Sequence, residues 1–435
     1  MRFAPACTVA LVAAIAAAQT PPTPGELYGR TRERVIEQID RLPRYTCVQT
    51  ITRHTYRNPA AKKSMGCENV LRNQQSQRLA LVLWDRLRID VAIADRQEVY
   101  SWVGAAQFEE TDLSKLVGGG QTTMGDFGSL VLSIFRDHPT MRFEGERKIN
   151  GRRLLQFSFQ TPEKESHYEV RISFLKFIAA YSGSVFLDAE TGDLVRITAL
   201  SDVLPEQTGY CQVSKQLNYT RLRIGGADAL IPNEATSTAI DRDEVEMSST
   251  SAYSSCREYV GESVLRFDDP AQAGQDSAPA AVPASASNAV HEIPPGLPFE
   301  CRIVSAIDSD TAAAGDPIEG VLRTPIADAS GKALAPAGTR VHGRLMGFTE
   351  HPAAVNQKES YEVQVQLRWL DLGSERVPFA ANIVNATSAT KTAPIRLNLH
   401  PQSGSFIFYD KKLHVANFDS KWITAARPAD AKPGP

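Results

Sequence analysis

The sequence has few of the residues that usually carry chemistry. It contains six cysteines, eight histidines and four tryptophans in 435 residues. No histidine stands in an H-E-x-x-H motif and no two cysteines form a C-x-x-C pair, so a zinc site has no sequence support. There is no G-x-S-x-G elbow for a serine hydrolase, and the glycines at 118–120 are not followed by the G-K-[ST] of a phosphate loop. The sequence therefore predicts no catalytic residue, no metal site and no cofactor.

The sequence also lacks an excess of either charge. Its 47 basic and 50 acidic residues give a formal net charge of −3, which offers no electrostatic reason to expect a nucleic acid as partner. Long apolar runs are absent except at residues 9–18, which are too few to span a bilayer. Arg2 precedes that run and an A-x-A pattern ends it at Ala18, which is typical of a cleaved signal peptide over residues 1–18. We therefore expect a periplasmic or secreted protein with no integral membrane span.

Five cysteines remain after such a cleavage. In an oxidising compartment disulfides are the first expectation. Sequence alone leaves the connectivity open, and proximity along the chain favours Cys47–Cys67 and Cys211–Cys256, with Cys301 left free.

Hydrophobic patterning predicts a mainly β (α+β) fold. Helical spacing is found at 24–42, where residues 23–26 match a capping box, and at 126–138, where Asp126 is the expected cap. Strand-like alternation fills most of the rest. The connections between strands are too short for crossover helices, so the strands should be antiparallel. We expect an antiparallel half-barrel sheet with an N-terminal helix over 19–269, an Ala/Ser/Pro-rich linker over 270–298, a smaller β-barrel or sandwich over 299–427, and a disordered tail over 428–435. The two β domains should fold independently.

The hairpin at 183–200 lies at the centre of the predicted sheet, with Gly192 in its turn. Apolar residues alternate along the neighbouring strands, and two helices are few to cover the face they form. A candidate apolar cavity follows, lined by Leu155, Phe157, Phe159, Val170, Ile172, Phe174, Val195 and Ile197. The same residues would otherwise form a filled core.

The run SGSVFLDAETGDLVRI, with its D-x-x-T-G turn, resembles a strand-turn-strand unit of the periplasmic outer-membrane lipoprotein carriers, as do the N-terminal helix and the half-barrel. The resemblance implies a lipid, an acyl chain or a lipoprotein as ligand. The second domain resembles more faintly the β domain of conjugation-type secretion channel proteins, through A-x-x-G-D at 312–316 and the run LAPAGTRVHG at 334–343.

Three functions remain open from the sequence. The first is a non-enzymatic binding or envelope-assembly protein that holds an apolar or acylated ligand. The second is a structural or interaction module of a secretion or envelope complex, with an envelope protein as partner and filled β cores. The third is a secreted hydrolase, for which no nucleophile–base pair is visible.

Overall fold

The computed structural model describes residues 22–40, 44–60, 66–74, 78–94, 97–105, 108, 113–117, 122, 125–138, 140–172, 175–258, 292–353, 358–387, 395–398 and 402–427. The predicted signal peptide, most of the predicted linker, the predicted tail and Phe174 lie outside the described residues. What the sequence indicates for these segments therefore remains a prediction.

The described helices are few and short. They are α1 (Pro24–Asp40), α2 (Cys67–Asn73), α3 (Leu113–Val117) and α4 (Ser129–Asp137). Helix α1 begins at the capping box that the sequence indicates: the amide of Glu26 donates to Thr23 Oγ1 at 3.3 Å, and the amide of Thr23 donates to Glu26 Oε2 at 2.9 Å. Helix α4 presents Leu130, Val131, Ile134 and Phe135 as its buried face.

The N-terminal region, defined here as residues 22–258, is built on one open antiparallel sheet. Its strands are β1 (Tyr45–Arg57), β2 (Ala80–Ala94), β3 (Gln97–Trp102), β4 (Arg142–Ile149), β5 (Arg152–Thr161), β6 (Glu169–Ile172), β7 (Leu175–Ile178), β8 (Tyr181–Asp188), β9 (Leu194–Ser201), β10 (Tyr210–Ile224), β11 (Ala227–Asp241) and β12 (Val245–Glu258). Among the described residues the sheet runs β4-β5-β8-β9-β10-β11-β12-β1-β2-β3. Strands β6 and β7 form a separate hairpin. The mainly β, antiparallel fold class predicted from the sequence is confirmed.

The central hairpin is formed by β8 and β9, as predicted. Gly192 has φ +68° in its turn, a conformation that L side chains rarely adopt. The carboxylate of Asp188 accepts from the amides of Glu190 and Thr191, both at 3.0 Å. The D-x-x-T-G run is therefore an Asx-type turn whose first residue closes it.

The C-terminal region, residues 292–427, is a small barrel. Its strands are β13 (Pro298–Ile303), β14 (Ile307–Asp308), β15 (Pro317–Leu322), β16 (Ile326–Ala327), β17 (Ala333–Ala335), β18 (Arg340–His351), β19 (Ser360–Leu372), β20 (Glu375–Pro378), β21 (Ala380–Thr387), β22 (Ile395–Asn398), β23 (Gly404–Phe408), β24 (His414–Val415) and β25 (Phe418–Ala425). The antiparallel pairings close a ring, from β18 to β19, to β20 and its continuation β21, to β25, β13 and β15, and back to β18. The ring encloses its own apolar core, in which Trp422, Phe406 and Phe418 are at most 1% exposed.

The predicted linker extends too far into this barrel. Ile293 is buried in the barrel core, and the hydroxyl of Thr424 donates to the carbonyl of Pro294 at 2.6 Å. Residues 293–298 thus pack with the C-terminal region.

The two regions share a seam of backbone hydrogen bonds. Strand β18 pairs with β2 at Thr349–Asp85 and Glu350–Trp84. The amide of Arg88 donates to the carbonyl of Ala314 at 2.7 Å, and the amide of Ala314 donates to the carbonyl of Arg86 at 2.8 Å. The A-x-x-G-D turn at 312–316 therefore docks on the N-terminal region, a contact that no sequence pattern indicates.

The disulfide pairing favoured by chain proximity is wrong. The structure pairs Cys47 with Cys256, with a Cα–Cα distance of 4.0 Å, and Cys67 with Cys211, with a Cα–Cα distance of 5.2 Å. For Cys47–Cys256 the reason is strand order: β1 pairs with β12, and the register that pairs Tyr45 with Glu258 and Thr46 with Arg257 places Cys256 opposite Cys47. The second disulfide joins α2 to β10. Cys301 is free and buried, as expected.

Candidate functional site

The predicted apolar face exists, and helices cover it. Leu155, Phe157, Phe159, Val170 and Ile197 are all buried in one core together with the inner faces of α1 and α4. The ring of Tyr28 on α1 lies 5.3 Å from that of Phe157 and 6.0 Å from that of Phe135 on α4, measured between centroids. The face is thus packed against two helices and is not an open cavity in this structure.

The structure departs from the predicted lining at Val195. Val195 is only half-buried and is not part of this core, because a register shift between β8 and β9 falls beside it and turns Leu194 inward in its place. The prediction for Val195 is wrong for that reason, since a bulge reverses the alternation of a strand. Ile172 lies in β6.

The covering helices are held by a small number of polar contacts. The hydroxyl of Thr31 donates to the carbonyl of Gly192 at 2.6 Å, which seats α1 on the turn of the central hairpin. The hydroxyl of Tyr28 donates to the carbonyl of His138 at 2.7 Å, and Arg32 Nε donates to the carbonyl of Phe135 at 2.5 Å. These last two bonds join α1 to the C-terminal end of α4, so the two helices form one cover.

Beside the apolar core the interior contains charges. Asp126, directly before α4, is 1% exposed; it forms an ion pair with Lys215 of β10 and accepts a hydrogen bond from the hydroxyl of Tyr253 at 2.5 Å. The sequence predicts Asp126 as the helix cap, but the N-cap position belongs to Gly128 and carries no side-chain bond. The carboxylate instead fixes the start of α4 to the sheet.

Glu98 of β3 also binds the turn before α4. Its carboxylate accepts from the amides of Gly125 at 2.8 Å and Phe127 at 3.0 Å, and from the hydroxyl of Tyr100 at 2.5 Å. Burial, reinforced by the neighbouring charge of Asp126, raises the pKa of Glu98 above its ordinary value. Two buried carboxylates therefore join the turn before α4 to the sheet: that of Asp126 in the turn itself and that of Glu98 in β3.

Among the described residues, three buried hydroxyls of the N-terminal region have no hydrogen-bond partner: those of Tyr45, Tyr219 and Ser249. Burial raises the pKa of Tyr219 well above its ordinary value, and the charges of Asp126 and Glu98 raise it further. Ser249 lies opposite Arg53 of β1, eight positions along that strand from Tyr45, so these hydroxyls do not form one group. We call the set Glu98, Asp126, Lys215 and Tyr253 the polar cluster.

Sequence reasoning missed the polar cluster, although one signal was present. Lys215 stands between Val213 and Leu217 on the inward-facing positions of β10. A charged residue within an apolar alternation marks a buried charge that needs a partner. Its partner Asp126 is 89 positions earlier in the chain (215 minus 126), and no local pattern connects them.

An open groove of about 820 Å³ lies across β5, β8, β9, β10 and β11. Hydroxyl and amide side chains in register across the five strands line much of it, namely Ser158, Ser184, Thr198, Gln216 and Thr236. These residues alternate with the core residues, so the groove lies on the face opposite to the predicted apolar cavity.

Within the described ranges, no group of three His, Cys, Asp or Glu side chains could hold a metal ion. No helix in those ranges is long and apolar enough to cross a membrane.

Comparison with known proteins gives distant likenesses only. No protein-family model and no curated protein matches the chain. A DUF1329 family protein from Desulfovibrio piger is similar in structure, with 12% identity, a TM-score of 0.27, and coverage of 55% of this chain and 95% of that one. A LolA superfamily protein from Nitrosomonas europaea is similar with 11% identity, a TM-score of 0.23, and coverage of 53% of this chain and 94% of that one. Likenesses this remote carry no argument about function, so the resemblances drawn from the sequence stay predictions.

Proposed function

We propose that this protein is a non-enzymatic carrier or binding protein that acts outside the cytoplasm and holds an apolar or acylated ligand against the concave face of its N-terminal sheet. One observation carries the proposal: the apolar face formed by β5, β8, β9 and β10 is covered mainly by the two helices α1 and α4, with the small β6–β7 hairpin beside them, and not by a second large sheet. A cover made of α1 and α4 can move without breaking any strand pairing of the sheet.

The free energy gained by burying an acyl chain is comparable with the free energy lost when α4 leaves the sheet. A ligand that displaces α4 would replace the contacts of Leu130, Val131, Ile134 and Phe135 with the sheet. Full burial of one such side chain contributes about 1.5–3 kcal/mol, and each buried methylene of an acyl chain about 0.8 kcal/mol. Ten methylenes, about 8 kcal/mol, therefore only balance the roughly 6–12 kcal/mol of lost helix contacts. The affinity should accordingly be weaker than the micromolar value that ten methylenes would give on an uncovered face.

The binding test uses a fluorescent acyl probe, 11-(dansylamino)undecanoic acid, titrated into the wild-type protein. We expect saturable one-to-one binding. Thr31→Val removes the hydroxyl bond that seats α1 on Gly192, so the open form should become more populated and the apparent affinity should rise. An unchanged or weaker affinity in Thr31→Val would contradict the role of the helices as a cover.

The matched control for Thr31→Val is Thr424→Val. The hydroxyl of Thr424 donates to the carbonyl of Pro294 at the same distance of 2.6 Å, but in the C-terminal barrel. This variant should lose stability without changing the affinity for the probe.

The packing of the concave face favours a second candidate function. Leu155, Phe157 and Ile197 are at most 6% exposed, as in a filled core, and the seam joins the two regions through β2 and β18. Both features fit a structural module of an envelope or secretion complex. If neither the wild-type protein nor Thr31→Val binds the probe, this second function becomes the better account.

A further inference from the structure

The outer face of the N-terminal sheet, opposite to its apolar core, has two neighbouring rows of side chains in register across the strands. The first row consists of Ser158, Ser184, Thr198, Gln216 and Thr236, on β5, β8, β9, β10 and β11. It continues through Thr250 of β12 to Thr52 of β1. Seven adjacent strands thus place a hydroxyl or an amide side chain, and no charge, at the same level of the sheet.

The second row lies two residues further along each strand, on the same face. It consists of Gln160, Ser182, Leu200, Ser214 and Thr238. All of these side chains are half-buried or exposed, so the row faces solvent. Of the whole chain 22% is charged, and charged residues collect on exposed surfaces, yet neither row contains one. This absence sets the two rows apart from an ordinary solvated sheet face.

The open groove of about 820 Å³ follows the two rows. The first row lines one side of it, and Gln160, Ser182, Leu200 and Ser214 of the second row line the other. The groove therefore runs across the strands and not along them. Neighbouring strands are about 4.8 Å apart, so the four spacings from β5 to β11 give it a length of about 19 Å.

The two charged residues that line the groove have partners within the chain. Lys215 lies on an inward-facing position of β10, where its ammonium forms the ion pair with Asp126 on the other side of the sheet. Arg142 borders the β4 end of the groove, and its guanidinium contacts the carboxylate of Glu144 at 2.6 Å. The described lining of the groove therefore offers no unpaired charge to a ligand.

What the lining offers is neutral hydrogen-bonding groups. The hydroxyl of Thr198 accepts from the amide of Ser184 at 3.1 Å, and the hydroxyl of Ser184 accepts from Gln156 Nε2 at 3.2 Å. A hydroxyl that accepts one bond can still donate its proton to another partner. Gln216 and Thr236 make no side-chain hydrogen bond to another described residue. Donors and acceptors thus repeat along the groove at the spacing of the strands.

This lining selects the chemistry of the occupant. A charged ligand would find no counter-ion there, and an apolar chain would find Leu200, 41% exposed, as its one exposed apolar contact in the rows. A sugar has many hydroxyls, each of which can donate and accept neutral hydrogen bonds. One unit of an extended β-linked glycan has nearly the length of one strand spacing, about 4.8 Å. Successive sugar units would therefore meet equivalent side chains on successive strands.

We propose that this groove binds a neutral, linear, β-linked glycan, laid across β5, β8, β9, β10 and β11 with one sugar unit for each strand spacing. The site lies on the face opposite to the apolar core, so it is separate from the ligand face of the proposed function and does not depend on it. Through this groove the protein attaches to a polysaccharide while its apolar face stays free.

Isothermal titration calorimetry of the full chain tests the proposal with two neutral tetramers, cellotetraose and tetra-N-acetylchitotetraose. Both have the same extended β-linked backbone and differ at the second carbon of each unit, which has a hydroxyl in one and an acetamido group in the other. We expect saturable binding of at least one tetramer, and the stronger of the two identifies the sugar. The corresponding disaccharide covers half of the groove and should bind about tenfold more weakly or worse.

Two substitutions locate the binding in the groove. Gln216→Leu and Thr236→Val each remove one neutral hydrogen-bonding group from the first row and should each weaken tetramer binding about fivefold. The matched control is Thr220→Val, an exposed hydroxyl on the same face of β10 but outside the groove. It should bind the tetramer like the wild type, and circular dichroism should show the same fold for all three variants.

Several results would overturn the proposal. They are failure of both tetramers to bind, equal affinity for the tetramer and its disaccharide, and unchanged affinity in both Gln216→Leu and Thr236→Val. A wild-type dimer that dissociates in Gln216→Leu, seen by size-exclusion chromatography, would assign this face to a second copy of the chain. Titration of 11-(dansylamino)undecanoic acid into the same variants keeps the two proposals apart, because substitutions in the groove should leave the affinity for the acyl probe unchanged.

Discussion

The two regions of this molecule cover their apolar cores in different ways. The C-terminal barrel closes on itself, so its strands cover both sides of its core without helices. The N-terminal sheet stays open between β3 and β4, and its apolar face needs α1 and α4 as a cover. A closed ring cannot exchange its cover, whereas a helix can leave an open sheet. Under the proposed function, ligand exchange therefore belongs to the N-terminal region.

The interiors of the two regions also differ in their buried polar side chains. Among the described residues, the buried polar side chains of the C-terminal region are all Ser or Thr, whereas those of the N-terminal region include Asp90, Asp126, Asp188 and Glu244. The N-terminal region also has both disulfides, and the C-terminal region has Cys301 as its single cysteine. The open sheet is therefore cross-linked by disulfides and contains buried acidic side chains. The described part of the closed barrel has neither feature.

The largest effect should come from the disulfides. Replacing Cys47 and Cys256 together by Ala, or Cys67 and Cys211 together, removes a link across a long stretch of chain and should lower the free energy of unfolding by roughly 2–5 kcal/mol. The loss should be confined to the N-terminal region. Denaturant unfolding followed by hydrogen exchange checks this, with Cys301→Ser as the single-cysteine comparison.

Non-reducing peptide mapping provides the complementary check on connectivity. It should recover the Cys47–Cys256 and Cys67–Cys211 peptides. Recovery of the chain-proximal pairs would contradict the pairing of β1 with β12.

The next effect concerns the buried ion pair. Asp126→Ala leaves Lys215 without its carboxylate and should lower the free energy of unfolding by roughly 3–5 kcal/mol, whereas the double replacement Asp126→Leu with Lys215→Met should recover most of that loss. The exposed pair Arg302–Asp419 of the barrel is the matched control, and Asp419→Ala should cost only a small fraction as much. Equal losses at the two pairs would remove the contrast between the interiors.

The seam between the regions can be broken at one glycine. Gly315 has φ +104°, and a Cβ there would collide with the backbone carbonyl of Arg88. Gly315→Ala should therefore weaken the docking of the regions by about 1–3 kcal/mol. After cleavage at a protease site introduced near residue 280, the wild-type fragments should co-elute in size-exclusion chromatography and those of the variant should separate. Gly347→Ala, where a Cβ meets only ordinary contacts, should behave like the wild type.

The smallest effect is a difference in pH dependence. The pKa of Glu98 is raised in the folded state by burial, so its stabilising contribution is complete below the ordinary value of 4.5 and is lost as the pH rises through the raised value. In that window the free energy of unfolding should fall by about 1.4 kcal/mol per pH unit for this one proton. Denaturant unfolding at a series of pH values should show this slope in the wild type and lose it in Glu98→Gln.

Asp371 of the barrel should behave in the opposite way. A hydrogen bond from His342 lowers the pKa of Asp371 below its ordinary value of 3.8. Its stabilising contribution is therefore present above 3.8 and is lost as the pH falls through the lowered value. If the free energy of unfolding changed with pH in the same direction through both titrations, the contrast between the buried carboxylate of Glu98 and the solvated one of Asp371 would be contradicted.

Local patterns predicted the local structure of this protein. The capping box of α1, the hairpin at Asp188–Gly192 and the alternation of Leu155, Phe157 and Phe159 all depend on residues close together in the chain, and all are found in the structure. Val195 was mispredicted because a bulge shifts the alternation of β9, and no turn residue marks it.

What the sequence could not predict depends on distant parts of the chain. The Cys47–Cys256 disulfide follows from the pairing of β1 with β12, which are about 200 positions apart, and the Cys67–Cys211 disulfide joins α2 to β10 over a sequence separation of 144. Asp126 has a residue type that suits a helix cap, but the fold brings Lys215 and Tyr253 within reach of its carboxylate. The seam at Ala314 likewise joins residues more than 220 positions apart, Ala314 with Arg86 and Arg88.

The central claim is that a ligand takes the place of α4 on the concave face. Hydrogen–deuterium exchange of Ser129–Asp137, with and without saturating 11-(dansylamino)undecanoic acid, tests it most directly. The account predicts faster exchange of these amides when the probe is bound, with no change in β19 of the barrel. Bound probe with unchanged or slower exchange in α4 would contradict it.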